Sequence, residues 1–202
     1  MNLTKLTAAA LLTLGLSASA LAAKAIPEGT FALDGMHSKI GFEIPHLVIS
    51  TVEGKFNKYE GTFTVDKKID KSKVEVSVDV DSIDTGIGQR DTHLKSADFF
   101  DAAKYPKMTF TSTKVSQKDD TLTVTGDLKI KDVSKKVTFE LKYLGAVKDG
   151  YGQEKLAFKG DTKISRKEFG LKWNQAVEAG PVVGDEVKIL LTVQAAAPAK
   201  AK

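Results

Sequence analysis

Four polar residues within a span of seven positions, Arg90, Asp91, His93 and Ser96, come nearest to a chemical site in this sequence. An aspartate, a histidine and a hydroxyl are the groups of nucleophilic catalysis, in which the histidine accepts the hydroxyl proton and the aspartate orients the ring. Residues at i, i+2 and i+5 of one loop seldom hold that geometry, and the sequence contains no G-x-S-x-G or H-E-x-x-H motif. We therefore predict that the protein is not an enzyme.

Binding is the chemistry left to these side chains. Arg90 and His93 are predicted to donate hydrogen bonds to the head group of a ligand, such as a quinone carbonyl, an amide or a pyrophosphate. The alternative is that Arg90 and Asp91 form a structural pair that fixes the loop. Asp91 and Ser96 are predicted to be structural residues, with Ser96 as the N-cap of a short helix and Asp98 in the first turn of that helix.

Metal and nucleic-acid chemistry find little support in the composition. The 202 residues include no Cys and three His, which are His37, His46 and His93. No two of these histidines have the i, i+2 or i, i+4 spacing of a metal site, so we predict no metal and no cofactor. The 30 Lys and Arg are interspersed with 26 Asp and Glu, and a formal net charge of +4 without a basic run argues against nucleic-acid binding.

Apolar and polar residues alternate along most of the chain, as expected for half-buried β-strands. The alternation is strictest in the segments 74–80, 137–143 and 187–193, where apolar side chains occupy every second position. Turn sequences such as Asp34-Gly35 separate the runs. About eight or nine strands with short connections predict an all-β fold, namely a single antiparallel barrel of about eight strands or a sandwich.

Residues 84–106 depart from this alternation and are predicted to form a short helical insertion. Long loops in a compact domain usually serve a function. Phe99 and Phe100 within the insertion are expected to be buried as a plug or lid at one end of the barrel. A second irregular stretch, residues 165–183, contains the only tryptophan of the chain, Trp173.

Residues 1–22 are typical of a secretory signal peptide. Lys5 precedes the apolar stretch Leu6–Leu16, and small residues follow it, so cleavage is expected between residues 22 and 25. The apolar stretch is too short to cross a bilayer, for which a helix needs about 20 residues. We predict an exported protein with one barrel domain at residues 26–194 and a disordered Ala/Pro/Lys tail at residues 195–202.

The inward-facing positions of the predicted barrel are aliphatic or aromatic, which leaves two alternatives. A barrel of about eight strands is either filled by its side chains or wide enough for one small ligand. In the second case the ligand must be apolar over most of its length. Aromatic residues are 7% of the chain, too few for the girdles of a transmembrane barrel, and charged side chains alternate outward on nearly every strand. The sequence therefore favours a soluble barrel.

Several segments of the chain resemble the YceI-like family. They are, in chain order, Asp34–Phe42, Ser82–Gly86, Arg90–Asp101, Tyr105–Pro106 and Ile164–Leu171. The resemblance extends over nearly all of the chain after the signal peptide, and the Arg-Asp-x-His-Leu block with its Asp-Phe-Phe is specific. It implies a lipocalin-like antiparallel barrel in the periplasm that binds a long amphiphile, such as a polyisoprenoid, an isoprenoid quinone or a fatty amide.

We therefore predict a periplasmic protein that sequesters or carries a long-chain isoprenoid, a quinone or a related lipid inside its barrel. The alternative is a stress-associated structural barrel with a filled core and no dedicated ligand. His46 is assigned to the site because it shares the inward parity of the apolar residues of its strand. The predicted ligand-binding residues are Phe42, Ile44, His46, Phe56, Val76, Val78, Arg90, His93, Leu94, Phe99, Phe100, Phe110, Phe139, Leu141 and Trp173. The sequence leaves open whether the barrel forms a homodimer.

Overall fold

The alternating segments form antiparallel strands, and eleven of these strands belong to one sheet. The computed structural model describes residues 24–177 and 180–198, so the predicted signal peptide lies outside the described residues. The strands are β1 Gly29–Leu33, β2 Lys39–His46, β3 Ser50–Phe56, β4 Tyr59–Val65, β5 Lys73–Asp79, β6 Ile83–Asp84, β7 Lys107–Lys118, β8 Thr121–Ile130, β9 Val133–Lys148, β10 Glu154–Ser165, β11 Ala176–Val177, β12 Gly180–Pro181 and β13 Glu186–Ala196. Helix α1 spans Gly88–Lys95, and 3-10 helices span Ile69–Lys71, Val80–Ser82 and Arg166–Phe169.

The sheet closes on itself because its first strand pairs along both edges. β1 pairs with β4, where Phe31 faces Phe63, and with the last strand β13, where Ala32 faces Ala196. β1 and β2 follow one another along β13, and β3 and β4 are separated by two residues, so each pair acts as one bent strand. The wall is therefore the predicted closed antiparallel barrel of eight strands.

The last strand is longer than the sequence analysis predicts. β13 continues to Ala196, and the side chain of Ala195 is only 3% exposed. The first two residues of the predicted tail therefore belong to the barrel. Alanine is compatible with both a low-complexity tail and a closely packed strand end, which is why composition misplaces this boundary.

One end of the barrel is closed by tightly packed side chains. Five residues at this end, contributed by five strands, are almost fully buried; they are Phe31, Val65, Val115, Tyr143 and Leu156. The Phe158 ring contacts Phe63 and Tyr143, with ring centroids 5.5 and 5.2 Å apart. The chain before β1 covers this end, since the Tyr143 hydroxyl donates to the Ala25 carbonyl and Ile26 is buried. No route for a ligand is expected through this layer.

The opposite end carries the longer connections, and we call it the mouth. It is formed by the β2–β3 turn at residues 47–49, the segment 80–106 that contains α1, and the segment 166–185 between β10 and β13. The predicted insertion contains a short helix, but the helix precedes Ser96, which is its C-cap and not its N-cap, and Asp98 follows the helix. The Ser96 hydroxyl donates to the His93 carbonyl at 2.7 Å and so satisfies the carboxyl end of α1. None of the described helices is long and apolar enough to cross a bilayer.

Glycines in the wall let large inward side chains lie flat along it. A Cβ at position 54 would collide with the Phe42 ring, and one at position 126 would collide with the Phe110 ring. A Cβ at position 160 would meet the Leu141 side chain and the Glu140 carbonyl. Because a strand glycine leaves room for a neighbouring side chain, these rings cover the wall instead of filling the lumen.

Asp34 fastens the bend between β1 and β2 to β13. Its carboxylate accepts hydrogen bonds from the Met36 backbone N–H, the His37 ring and the Gln194 amide, at 3.0, 2.9 and 3.0 Å. Burial by itself would raise the pKa of Asp34, but these hydrogen bonds and the charge of His37 hold it below the ordinary value of 3.8.

A lowered carboxylate pKa stabilises the folded state above the unfolded pKa, and this stability is lost as the pH falls through the folded value. We expect Asp34→Asn to destabilise the protein at pH 7 and to lose less further stability than the wild type when the pH falls below 3.8. Urea unfolding at pH 7 and at a pH below 3.8 measures the free energy of unfolding of each protein. Asp70→Asn, at an exposed position, is the matched control. Equal losses in Asp34→Asn and the wild type would contradict this assignment.

Candidate ligand-binding site

The barrel encloses a cavity of about 400 Å³. This volume lies within the range of about 300–1,000 Å³ that is usual for small-molecule sites. Its wall consists of the inward side chains of the barrel strands, together with residues from both long segments of the mouth. Among the described residues that line it, the polar side chains are His46, Thr62, Arg90, His93, Thr109 and Arg166, and no carboxylate is present. The cavity is thus apolar along the barrel and cationic near the mouth.

The structure brings all the predicted ligand-binding residues together. Every one of the side chains named above for this role, from Phe42 to Trp173, lines the cavity. Asp91 and Ser96, predicted to be structural, are not among the lining residues. For the lining residues from Phe42 to Trp173, contact with a ligand stays a prediction. The agreement follows from the strict period of two, since one inward residue in a regular strand fixes the direction of its neighbours at i±2.

Arg90 and Asp91 hold the start of α1 through a shared partner, Thr85. The Arg90 guanidinium donates to the Thr85 hydroxyl at 2.7 Å and to its carbonyl at 2.8 Å. The Asp91 carboxylate accepts from the Thr85 backbone N–H at 2.9 Å and from its hydroxyl at 2.6 Å. Both residues of the predicted structural pair therefore act on Thr85, and this contact occupies two of the five N–H groups of Arg90. Arg90 can both anchor the loop and face a ligand.

His93 joins the two segments of the mouth. Its Nε2 lies 2.9 Å from the Asp98 carboxylate. The edge of its ring meets Phe99 and Trp173, with centroids 5.1 and 4.9 Å apart, and Phe99 lies 5.1 Å from Trp173. Because Asp98 takes Nε2, His93 can donate to a ligand only through Nδ1 of the protonated ring. The three rings form a cover at the mouth, which agrees with the predicted burial of Phe99.

Arg166 is the site residue that the sequence analysis misses. Only 3% of it is exposed, and its guanidinium donates to the carbonyls of Gly184, Leu171 and Trp173 at 2.7, 2.6 and 2.9 Å. Burial lowers the pKa of Arg166 below its ordinary value, against the opposing effect of the Asp185 carboxylate. Arg166 therefore links three separate positions of the segment 166–185 by buried or partly buried hydrogen bonds. Arg166 stands two positions after the inward-facing Ile164, and this spacing could have indicated that its side chain faces inward. An arginine among charged neighbours is usually exposed, however, so the sequence analysis does not assign it to the site.

Trp173 gives this site its own spectroscopic reporter. It is the only tryptophan in the chain, and it lines the cavity in contact with His93 and Phe99. We expect geranylgeraniol to shift the emission of Trp173 to shorter wavelength in a saturable titration, because the ligand displaces water from the indole. Isoprenol, with the same hydroxyl and a single isoprene unit, is the control. An equal shift with isoprenol, or no shift with geranylgeraniol, would argue against a ligand beside Trp173.

A closed antiparallel barrel around an apolar cavity open at one end defines a class of small β-barrels that have room for a ligand. The YceI-like domain matches residues 31–195, and the chain therefore belongs to the YceI-like family. Protein YceI of Escherichia coli O17:K52:H18 is 40% identical over 162 residues, which are 80% of this chain and 82% of that protein.

Two solved structures share the fold. Burkholderia cenocepacia BcnA is 26% identical, with a TM-score of 0.68 over 80% of this chain and 98% of that chain. A polyisoprenoid binding domain from Saccharophagus degradans, implicated in plant cell wall breakdown, is 16% identical, with a TM-score of 0.62 over 83% of this chain and 98% of that chain. At that identity the second likeness concerns the fold alone.

Proposed function

We propose that this protein is a periplasmic binding protein that sequesters or carries a long-chain isoprenoid, an isoprenoid quinone or a related amphiphilic lipid. The observation that carries the proposal is the distribution of polarity in the cavity. The wall is apolar along the barrel, while Arg90, His93 and Arg166 belong to the segments that form the mouth. This arrangement suits a ligand with a long apolar tail and one polar head group.

The energetics favour a long tail. Each buried methylene contributes about 0.8 kcal/mol, so a chain of about ten carbons gains roughly 8 kcal/mol before other terms. That gain is comparable to the cost of association, about 4–15 kcal/mol, so shorter chains would bind weakly. Strands of the length found here, at about 3.3 Å per residue, give a barrel long enough for an extended tail. The tail would enter first, because the packed layer closes the far end.

The head group would meet hydrogen-bond donors without meeting a carboxylate. Arg90 retains N–H groups beyond the two that Thr85 accepts, and His46 lines the cavity at the end of β2. A quinone carbonyl, an amide or a phosphate is an acceptor for such donors. The absence of a lining carboxylate among the described residues also removes the usual partner of a cationic head group. We therefore propose a neutral or anionic head group.

Two further points support the proposal. The solved domain from Saccharophagus degradans is described as polyisoprenoid binding, and its fold matches this barrel. The predicted signal peptide at residues 1–22 and the membership of the YceI-like family support the periplasm as the site of action. The alternative of a filled structural barrel is disfavoured by the cavity of about 400 Å³.

Native mass spectrometry tests the proposal directly. The protein is purified from the periplasm without detergent, and any adduct is extracted into organic solvent and identified. We expect a stoichiometric adduct that extracts as an isoprenoid, a quinone or a fatty amide. A bare protein mass, repeated after incubation with mixed bacterial lipids, would contradict a carrier role.

A further inference from the structure

The turn between β2 and β3 exposes apolar side chains to an unusual degree. Val48 is 67% exposed and Ile49 is 89% exposed. From Pro45 to Val52 the sequence contains no Asp, Glu, Lys or Arg, in a chain of which 28% is charged. We call residues 47–49 the apolar tip. Adjacent exposed apolar side chains of this kind mark a candidate contact surface.

The backbone of the apolar tip makes this choice of residues more unusual. Leu47 and Val48 have φ angles of +50° and +65°. Glycine and asparagine are favoured in that conformation, and a β-branched residue such as Val48 is a genuine outlier there. A polar Asn-Gly pair would satisfy both the backbone and the solvent. The side chains of the apolar tip suit neither the positive φ angles nor the solvent. This indicates that the apolar side chains are needed for a contact.

The apolar tip is part of the rim of the cavity. Pro45 and His46, immediately before it, line the cavity, as do Val182 and Val183 across the mouth. The Leu47 N–H donates to the Val182 carbonyl at 2.9 Å, and His46 pairs with Val183. The apolar tip therefore lies next to residues that line the cavity at the mouth.

We propose that the apolar tip docks the mouth of the barrel on a lipid bilayer, with Val48 and Ile49 inserted among the acyl chains. This inference rests on the proposed function, since a ligand with a long apolar tail must pass between the cavity and a lipid phase without crossing water. A bilayer also matches the charge of the protein, because the formal net charge is +4 for the full sequence and +3 without residues 1–22, and a positive charge is attracted to anionic head groups. A protein partner usually meets an apolar centre with a rim of polar and charged side chains, and residues 45–52 carry no Asp, Glu, Lys or Arg for such a rim.

The lack of cysteine allows a site-specific test. A polarity-sensitive fluorophore is attached to Ile49→Cys and, as a matched control, to Val147→Cys on the exposed hairpin at the closed end, where Val147 is 64% exposed. Both proteins are mixed with cargo-free vesicles of phosphatidylethanolamine and phosphatidylglycerol. We expect a blue shift at position 49 and none at position 147. A shift at neither position, or an equal shift at both, would overturn the proposal.

An unlabelled variant removes any effect of the fluorophore. In Val48→Asn/Ile49→Ser the tip becomes polar, and Asn suits the positive φ of position 48 better than Val, so folding is preserved. Flotation with the same vesicles should fall by about tenfold or more for this variant, as expected from the loss of two buried aliphatic side chains. Leu144→Ser/Val147→Asn at the closed end should float like the wild type. Unchanged flotation of the tip variant would overturn docking.

Both experiments use vesicles without cargo, so their result does not depend on which lipid the cavity binds. A barrel that docks through the tip but yields no adduct in native mass spectrometry would overturn the proposed function and leave docking supported. A barrel with a bound lipid and no tip-dependent flotation would overturn docking and leave the carrier supported.

Discussion

Val76→Phe is expected to weaken ligand binding by more than tenfold while leaving the free energy of unfolding almost unchanged. Val76 lies on β5 and lines the cavity, with Phe110 of β7 and Gly61 of β4 as its cross-strand neighbours. The Val76 side chain already faces the lumen, so a larger Phe ring at this position would project further into the cavity. The ring would occupy space that the ligand tail needs.

A matched substitution in the closed end shows the opposite behaviour. Val115 is fully buried at 0% exposure and does not line the cavity. Val115→Phe therefore forces a ring into a packed layer, which we expect to destabilise the protein by about 1–3 kcal/mol. Urea unfolding gives the stability of both variants, and the titration of Trp173 emission gives their affinity. A similar destabilisation by both substitutions would show that the lumen is filled in solution.

Arg166→Met is expected to destabilise the protein by about 3–5 kcal/mol. The substitution removes the donor from the buried carbonyl of Leu171 and from the half-buried carbonyls of Gly184 and Trp173. A buried acceptor that loses its partner costs about 1–3 kcal/mol, and the losses within one network are not fully additive. Burial also lowers the pKa of Arg166, so part of the loss is offset because a desolvated charge is removed.

Two further substitutions define the origin of this loss. Arg166→Lys keeps the charge but cannot reproduce the planar fork of donors, so most of the destabilisation should remain. Lys167→Met, at the exposed neighbouring position, should change the stability by no more than about 0.5 kcal/mol. The midpoint of urea unfolding compares all three proteins. If Arg166→Lys were as stable as the wild type, charge and not hydrogen-bond geometry would be the role of Arg166.

The wall of the barrel could be predicted from the sequence because its signal is periodic. Every second residue is apolar along β5, along β13 and from Val137 to Tyr143 of β9, and this pattern alone indicates which side chains face inward. Leu141 and Val76 therefore line the cavity, as their inward positions predict, while their contact with a ligand stays a prediction. What the pattern does not contain is volume. Alternation is the same in a filled barrel and a hollow one, and the room in the lumen depends on where glycines let rings such as Phe42 lie flat.

The connections at the mouth were harder to predict because their signals are local and ambiguous. Helix α1 begins at Gly88, and Ile87 at its N-cap makes no side-chain cap hydrogen bond, so its start carries no sequence signature. Ser96, a favoured N-cap residue type, instead caps the carboxyl end through the His93 carbonyl. Arg166 was missed for another reason, since its burial depends on carbonyls supplied by a distant part of the loop.

The packed layer of Val115, Tyr143 and Leu156 determines how a ligand can enter and leave the cavity. A barrel with one entrance cannot work as a conduit that accepts cargo on one side and releases it on the other. A ligand must enter and leave through the mouth. A second ligand cannot displace the first by entering from the closed end. Under the proposed function, the donor and the acceptor of the lipid would therefore both have to contact the mouth, one after the other.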